Sequence, residues 1–171
     1  MKLESGKDYL ISFGGLNIPD SQQTEFQSVY CYKSTDISTC LNMAIPDSYI
    51  IDPTNKSAYF LKPATSVNPP AIFGHDGAIV ELTSGNMTRK YLYFYGGASS
   101  SCTGNVCSQM WRFEIPWAPI QYFENNGTTF GNNWEAITNA GGTSPGQLYA
   151  FSITKIDNYI YLYGGLDQTF T

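Results

Sequence analysis

The chain has 171 residues, enough for a single domain, and 42% of them are apolar, which is ample for a core. Its net charge of −5 includes no basic run or stripe, so a phosphate-backbone footprint is missing and nucleic acid is excluded as an expected partner. No apolar run approaches the roughly 18 residues that span a bilayer, so direct membrane insertion is not expected either. Only 13% of residues are charged while 15% are aromatic, with 13 Tyr and 10 Phe. That balance argues against disorder and suits many short strands packed on both faces. The opening Met1–Asp8 lacks the apolar core of a signal peptide, which leaves either an intracellular chain or a true N-terminus elsewhere.

In chain order, the first element is a strand at Tyr9–Phe13, stopped by Gly14-Gly15. A second aromatic run, Ser28–Lys33, reads as the next strand, and 34–56 reads as a long loop. Ala58-Tyr59-Phe60-Leu61 follows as another strand. Past the turn at Pro69-Pro70, Gly74–Leu82 and Tyr91–Tyr95 flank the polar Ser84-Gly85-Asn86 and read as a hairpin that ends in Gly96-Gly97. Gln109–Glu114 and Asn133–Ile137 are two further strands, with a long loop at 116–132 between them. After Pro145, Gly146–Thr154 and Tyr159–Tyr163 repeat the hairpin around Ile156-Asp157-Asn158, and Gly164-Gly165 closes it. Gly or Pro interrupts most helical candidates, and no window sustains an apolar stripe at helical spacing. The expected fold class is all-β.

Three short aromatic strands, each ended by a glycine pair, make an internal repeat. These motifs resemble kelch repeats. In that family a glycine pair closes the second strand of each blade, an aromatic sits on the third strand and a Trp on the fourth. The matching residues are Gly14 and Gly15, Gly96 and Gly97, Gly164 and Gly165; Tyr30 and Trp111 on third strands; and Trp134, with Tyr59 or Phe60, on fourth strands. The resemblance implies four-stranded blades of a β-propeller over 1–171: a partial blade at 1–62 (strands 2–4), a full blade at 74–137, and a partial blade at 146–171 (strands 1–2). A β-sandwich is the alternative fold. Kelch blades run about 50 residues, whereas Gly15, Gly97 and Gly165 stand 82 and 68 residues apart, with the excess between third and fourth strands. A propeller closes with roughly four to eight blades. About two blades imply a fragment or a ring completed by other chains.

Residues with chemistry are few. His75 is the sole histidine, in Gly74-His75-Asp76-Gly77. It is a candidate metal ligand or base, set against the preferred reading that kelch-like repeats carry a small polar residue or His at the start of the innermost strand. Copper-radical oxidases of the galactose oxidase type also use a kelch propeller, but their copper takes two His, two Tyr and a Cys, which a single His cannot supply. No cofactor or metal is therefore expected. Cys102 and Cys107 flank a short glycine-containing loop that can close a small disulfide; Cys31 and Cys40 are candidates for a second; four reduced cysteines in a cytosolic protein is the alternative. Sequons at Asn55, Asn86 and Asn126 fall in predicted loops or turns and are candidate glycosylation sites. Together with the cysteine loop they favour an extracellular or cell-surface setting over the cytoplasmic alternative. Asp47, Asp52, Glu124 and Glu135 read as solvated charges, since none shares a motif with a nucleophile or metal ligand.

The resemblance implies a non-enzymatic scaffold that grips a protein partner, or a glycan, through loops 16–27, 63–73, 98–108 and 138–146 on one face. The alternatives are a structural subunit of a larger assembly or filament, and a non-catalytic part of a kelch-type oxidase.

Overall fold

A computed structural model describes residues 8–17, 38–60, 67–115, 134–138, 141–167 and 169. The described chain is all-β, in three antiparallel sheets. The first holds β1 (Leu10–Phe13), β2 (Ser48–Asp52) and β3 (Ser57–Phe60), in that order. The second holds β4 (Asp76–Ser84), β5 (Met87–Tyr95), β6 (Met110–Glu114) and β7 (Trp134–Ile137). The third is the hairpin of β8 (Tyr149–Ile156) and β9 (Tyr159–Leu166).

Local chemistry explains the strand ends. Hairpins β4–β5 and β8–β9 pair up to Ser84↔Met87 and Ile156↔Tyr159, leaving two-residue turns. Gly85 and Asp157 take the left-handed conformation such turns need, with φ of 60° and 52°. The β2–β3 turn is held by Asp52, which is fully buried. Its carboxylate accepts from the backbone of Thr54 (2.9 Å) and Asn55 (3.1 Å) and from the Asn55 side-chain amide (2.9 Å). These bonds satisfy a carboxylate that would otherwise be expensive to bury. Asp52 is therefore no solvated loop charge, as its sequence context had implied. Glu135 is likewise engaged, on β7 opposite Arg112 with a 2.7 Å ion pair.

The sheets repeat one design. Leu10, Ile11, Ser12 and Phe13 stand opposite Ile51, Ile50, Tyr49 and Ser48; Leu92, Tyr93, Phe94 and Tyr95 stand opposite Phe113, Arg112, Trp111 and Met110. Laying Leu10 on Leu92 and Ile51 on Phe113 makes the two registers identical. The hairpins match too: Asp76↔Tyr95 in one is Ser152↔Tyr163 in the other. The segment 34–56, expected as loop, thus carries a helical turn (Ser38–Leu41) and β2, the strand paired with β1. The run Ser28–Lys33 and the loop 116–132 lie outside the described residues.

The sheets stack in order. Phe13 of the first stacks on Phe94 of the second (centroids 4.5 Å), and Trp134 packs on both at 4.8 and 5.4 Å. The opposite face of the second sheet meets the third, where Tyr95 contacts Phe151 at 6.1 Å and Asp76 Oδ2 accepts from the Ile153 amide at 2.7 Å. One core cluster centres on Tyr9, Ile50, Phe94, Phe113 and Trp134; a second, around Cys40, Phe73, Val106 and Tyr149, underlies the loops at one end.

Cys102 and Cys107 form a disulfide with Cα atoms 5.2 Å apart, closing a loop tied by Cys102 N–Ser99 O and Asn105 N–Cys102 O bonds. Cys40 is also disulfide-bonded; Cys31, the other candidate for a second bridge, lies outside the described residues. Alkylation of native protein without reductant should leave Cys102 and Cys107 unlabelled. Replacing both by Ser should lower the unfolding free energy by about 2 kcal/mol, the chain-entropy value for so short a loop. A urea midpoint unmoved by the double substitution would show that the backbone bonds alone hold the loop.

Candidate functional site

Two of the three glycine pairs, Gly14-Gly15 and Gly96-Gly97, sit where one sheet meets the next, and both carry the same backbone stitch. Gly14 N donates to Asp47 O (2.9 Å), Gly15 N to Ile72 O (2.8 Å), Ile45 N to Gly15 O (3.1 Å) and Ile72 N to Ile45 O (3.4 Å). The same four bonds recur as Gly96 N to Gln109 O (3.2 Å), Gly97 N to Leu148 O (2.8 Å), Cys107 N to Gly97 O (2.8 Å) and Leu148 N to Cys107 O (3.3 Å). A Cβ at Gly14 would lie 2.6 Å from Ile72 O, and one at Gly96 would lie 2.3 Å from Leu148 O. Both glycines also hold φ near +60°, so no other residue fits without strain.

A cavity of about 300 Å³ opens beside the first stitch, lined by β1 residues Ile11, Ser12 and Phe13 and by His75, Asp76 and Gly77. Ser12, His75 and Asp76 are the residue types of a nucleophilic triad, but the relay is missing. Asp76 spends one oxygen on its neighbour Gly77 N (2.8 Å) and the other on Ile153 N (2.7 Å). His75 Nδ1 is buried without a hydrogen-bond partner, so no carboxylate orients the ring. Desolvation pushes the His75 pKa down from 6.5 to about 4, against the opposing pull of a Phe13 backbone hydrogen bond and the Asp76 charge. The ring is wedged edge-on against Phe13 and Phe94, each at 5.2 Å. In the repeat, His75 falls where Phe151 meets Tyr95 in the next seam. It is a packing residue of the seam between sheets. Among the described residues no cluster of three His, Cys, Asp or Glu side chains converges.

No protein-family model matches the chain, and no curated protein matches its sequence.

The glycine-pair end of the sheets also gathers loops. Gln147 donates its side-chain amide to the carbonyls of Thr103 and of Val106 (2.7 Å), joining the segment before β8 to the disulfide loop. The Tyr95 hydroxyl binds the Gly146 carbonyl, and Gln109 donates to Ile137 O at 2.7 Å. Residues 100–101, 103–105 and 141–145 are exposed on this rim. The sequence does not mark Gln109, Gln147 and Tyr95 as stitching residues, because their partners Ile137, Val106 and Gly146 lie far along the chain.

The remaining sequence candidates are scattered. Trp134 is buried in the first seam, and Trp111 is partly buried on β6 against the same cluster. Tyr30 and Asn126 lie outside the described residues. Tyr49 of β2 holds the register position of Trp111. Asn86 stands exposed on the β4–β5 turn and Asn55 exposed on the β2–β3 turn, where its amide is bound to Asp52.

Proposed function

We propose that the chain is part of a kelch-type β-propeller and works as a non-enzymatic scaffold, holding a protein or glycan partner on the loops at the glycine-pair end of its sheets. The observation that carries this reading is the recurring four-bond stitch, which sets successive sheets at the same register. Repeats of that kind present their connecting loops side by side, as blades do. The rim offers Ser101, Thr103, Asn105 and Ser144, side chains that supply adaptable hydrogen bonds, over a base fixed by the disulfide and by Gln147. Rigid support under an exposed polar surface is what a binding loop needs.

The test compares the two ends of the sheets. Proximity labelling in cells that express the protein, with a glycan array run in parallel, identifies what it holds. Thr103→Arg with Asn105→Arg should reduce that binding by about tenfold or more. Asn86→Arg with Asn158→Arg, on the opposite hairpin tips, should leave it unchanged. Equal losses from both pairs would contradict the loop reading, and so would a substrate turned over only when His75 is intact.

A further inference from the structure

Within the chain, two seams form in the same sense: the face of one sheet that carries the odd-numbered residues of β1 or β5 is covered by the next sheet. Phe13 lies under the second sheet, and Tyr95, its counterpart, lies under the third and is only 3% exposed. At the two ends of the stack, among the described residues, one face of each kind is left uncovered. On the third sheet, Tyr163 holds the register place of Tyr95, yet it is 85% exposed, and Ile156, Tyr159 and Tyr161 are exposed beside it. On the first sheet, Leu10 and Phe60 are exposed on the face turned away from the second sheet. These six account for most of the large apolar side chains exposed among the described residues.

Gly164 gives a second, independent mark. It keeps the positive φ (72°) of Gly14 and Gly96, but the space that Ile72 O and Leu148 O occupy at those glycines is open at Gly164, with no atom within 4 Å of a built Cβ. The third sheet thus retains the features that receive a neighbour, with no described sheet in the neighbour's place. Exposed apolar faces of this extent mark interaction surfaces.

We infer that the tyrosine face of the third sheet (Tyr159, Tyr161, Tyr163) docks on the Leu10–Phe60 face of the first sheet of a second copy, head to tail. The argument is continuity: the contact joins the same kinds of face that already meet twice inside each chain. A second copy always carries the complementary face, and the joined pair again leaves one face of each kind. Such a heterologous contact propagates into a ring if its rotation closes and into a filament if it does not. The inference rests on the stacked sheets and not on the loop reading, whose variants lie at the strand ends.

The test is sedimentation of the full chain over a range of concentrations. Wild-type protein should associate beyond a dimer as concentration rises. Leu10→Arg and Tyr163→Arg change exposed positions at opposite ends, so circular dichroism should show both folded. Each alone should weaken association by about tenfold or more, because a charge would be buried in the contact. Mixed in equal amounts, the two variants should form a dimer and stop there, since Leu10→Arg keeps the tyrosine face and Tyr163→Arg keeps its complement. A monomeric wild type at every concentration overturns the inference and leaves the faces to a further sheet of the repeat. Variants that still assemble alone, or a mixture that makes no dimer, overturn it as well.

Discussion

Gly96→Ala should destabilise the protein by at least ~3 kcal/mol, measured as a shift in urea unfolding, while Gly164→Ala should cost only about 1–2 kcal/mol. Both glycines hold the left-handed conformation, with φ of 58° and 72°, so both substitutions carry its conformational penalty. The difference lies in space. At Gly96 the added methyl meets the Leu148 carbonyl at 2.3 Å and the Phe151 ring at 3.0 Å; at Gly164 it meets nothing within 4 Å. The Leu148 carbonyl cannot withdraw without breaking its bond to Gly97 N and opening the seam that Tyr95 and Phe151 fill. Equal losses at the two positions would mean that backbone strain, and not the approach of the next sheet, selects these glycines.

Stability should also fall as the solution is acidified from pH 6.5 to about 4, with about 3 kcal/mol of the loss traceable to His75. The sign follows from where the proton goes. The unfolded chain protonates His75 below its ordinary pKa of 6.5, whereas the folded seam keeps it neutral down to about 4. Within that window the unfolded state therefore binds more protons, and each step down in pH favours it. Below about pH 4 both states are protonated and the His75 contribution is flat. The repeat supplies its own control: Phe151 fills the corresponding place in the next seam, so His75→Phe should fold and lose this part of the pH dependence. Denaturant titrations of wild type and variant at pH 7, 5.5 and 4.5 would read it. Parallel stability curves for the two proteins would show that the ring is not held neutral by the seam.

These two predictions depend on features of different origin, and so does the legibility of the fold. The all-β class, the glycine-pair stops, the two hairpins and the Cys102–Cys107 pair are written in short-range sequence. Aromatic runs, two-residue turns and a five-residue cysteine spacing each act within a few positions of the chain. The second sheet was legible for the same reason, since β4 and β5 are joined by a two-residue turn and β6 and β7 carry aromatic residues of their own.

The partner of β1 was not legible. Ser28–Lys33, with two tyrosines and a valine, is locally as good a strand as Ser48-Tyr49-Ile50-Ile51-Asp52. Pairing at that distance is decided by what the strand can bury and bond. Ile50 and Asp52 are fully buried in β2, and Asp47 and Ile45 give the glycine pair two of its three backbone partners. The equivalence of Tyr49 and Trp111 emerges only after that pairing is known. His75 shows the same division. Its sequence context allowed a ligand, a base or a packing residue. The choice came from tertiary contacts: an enclosed Nδ1, an Asp76 committed to Gly77 and Ile153, and two phenyl rings on either side. Sequence alone determined the glycine-pair stops and the strands beside them, because those depend on local conformation. The order of the sheets, the role of the histidine and the two uncovered faces depend on which distant surfaces meet, and only the tertiary structure decided them.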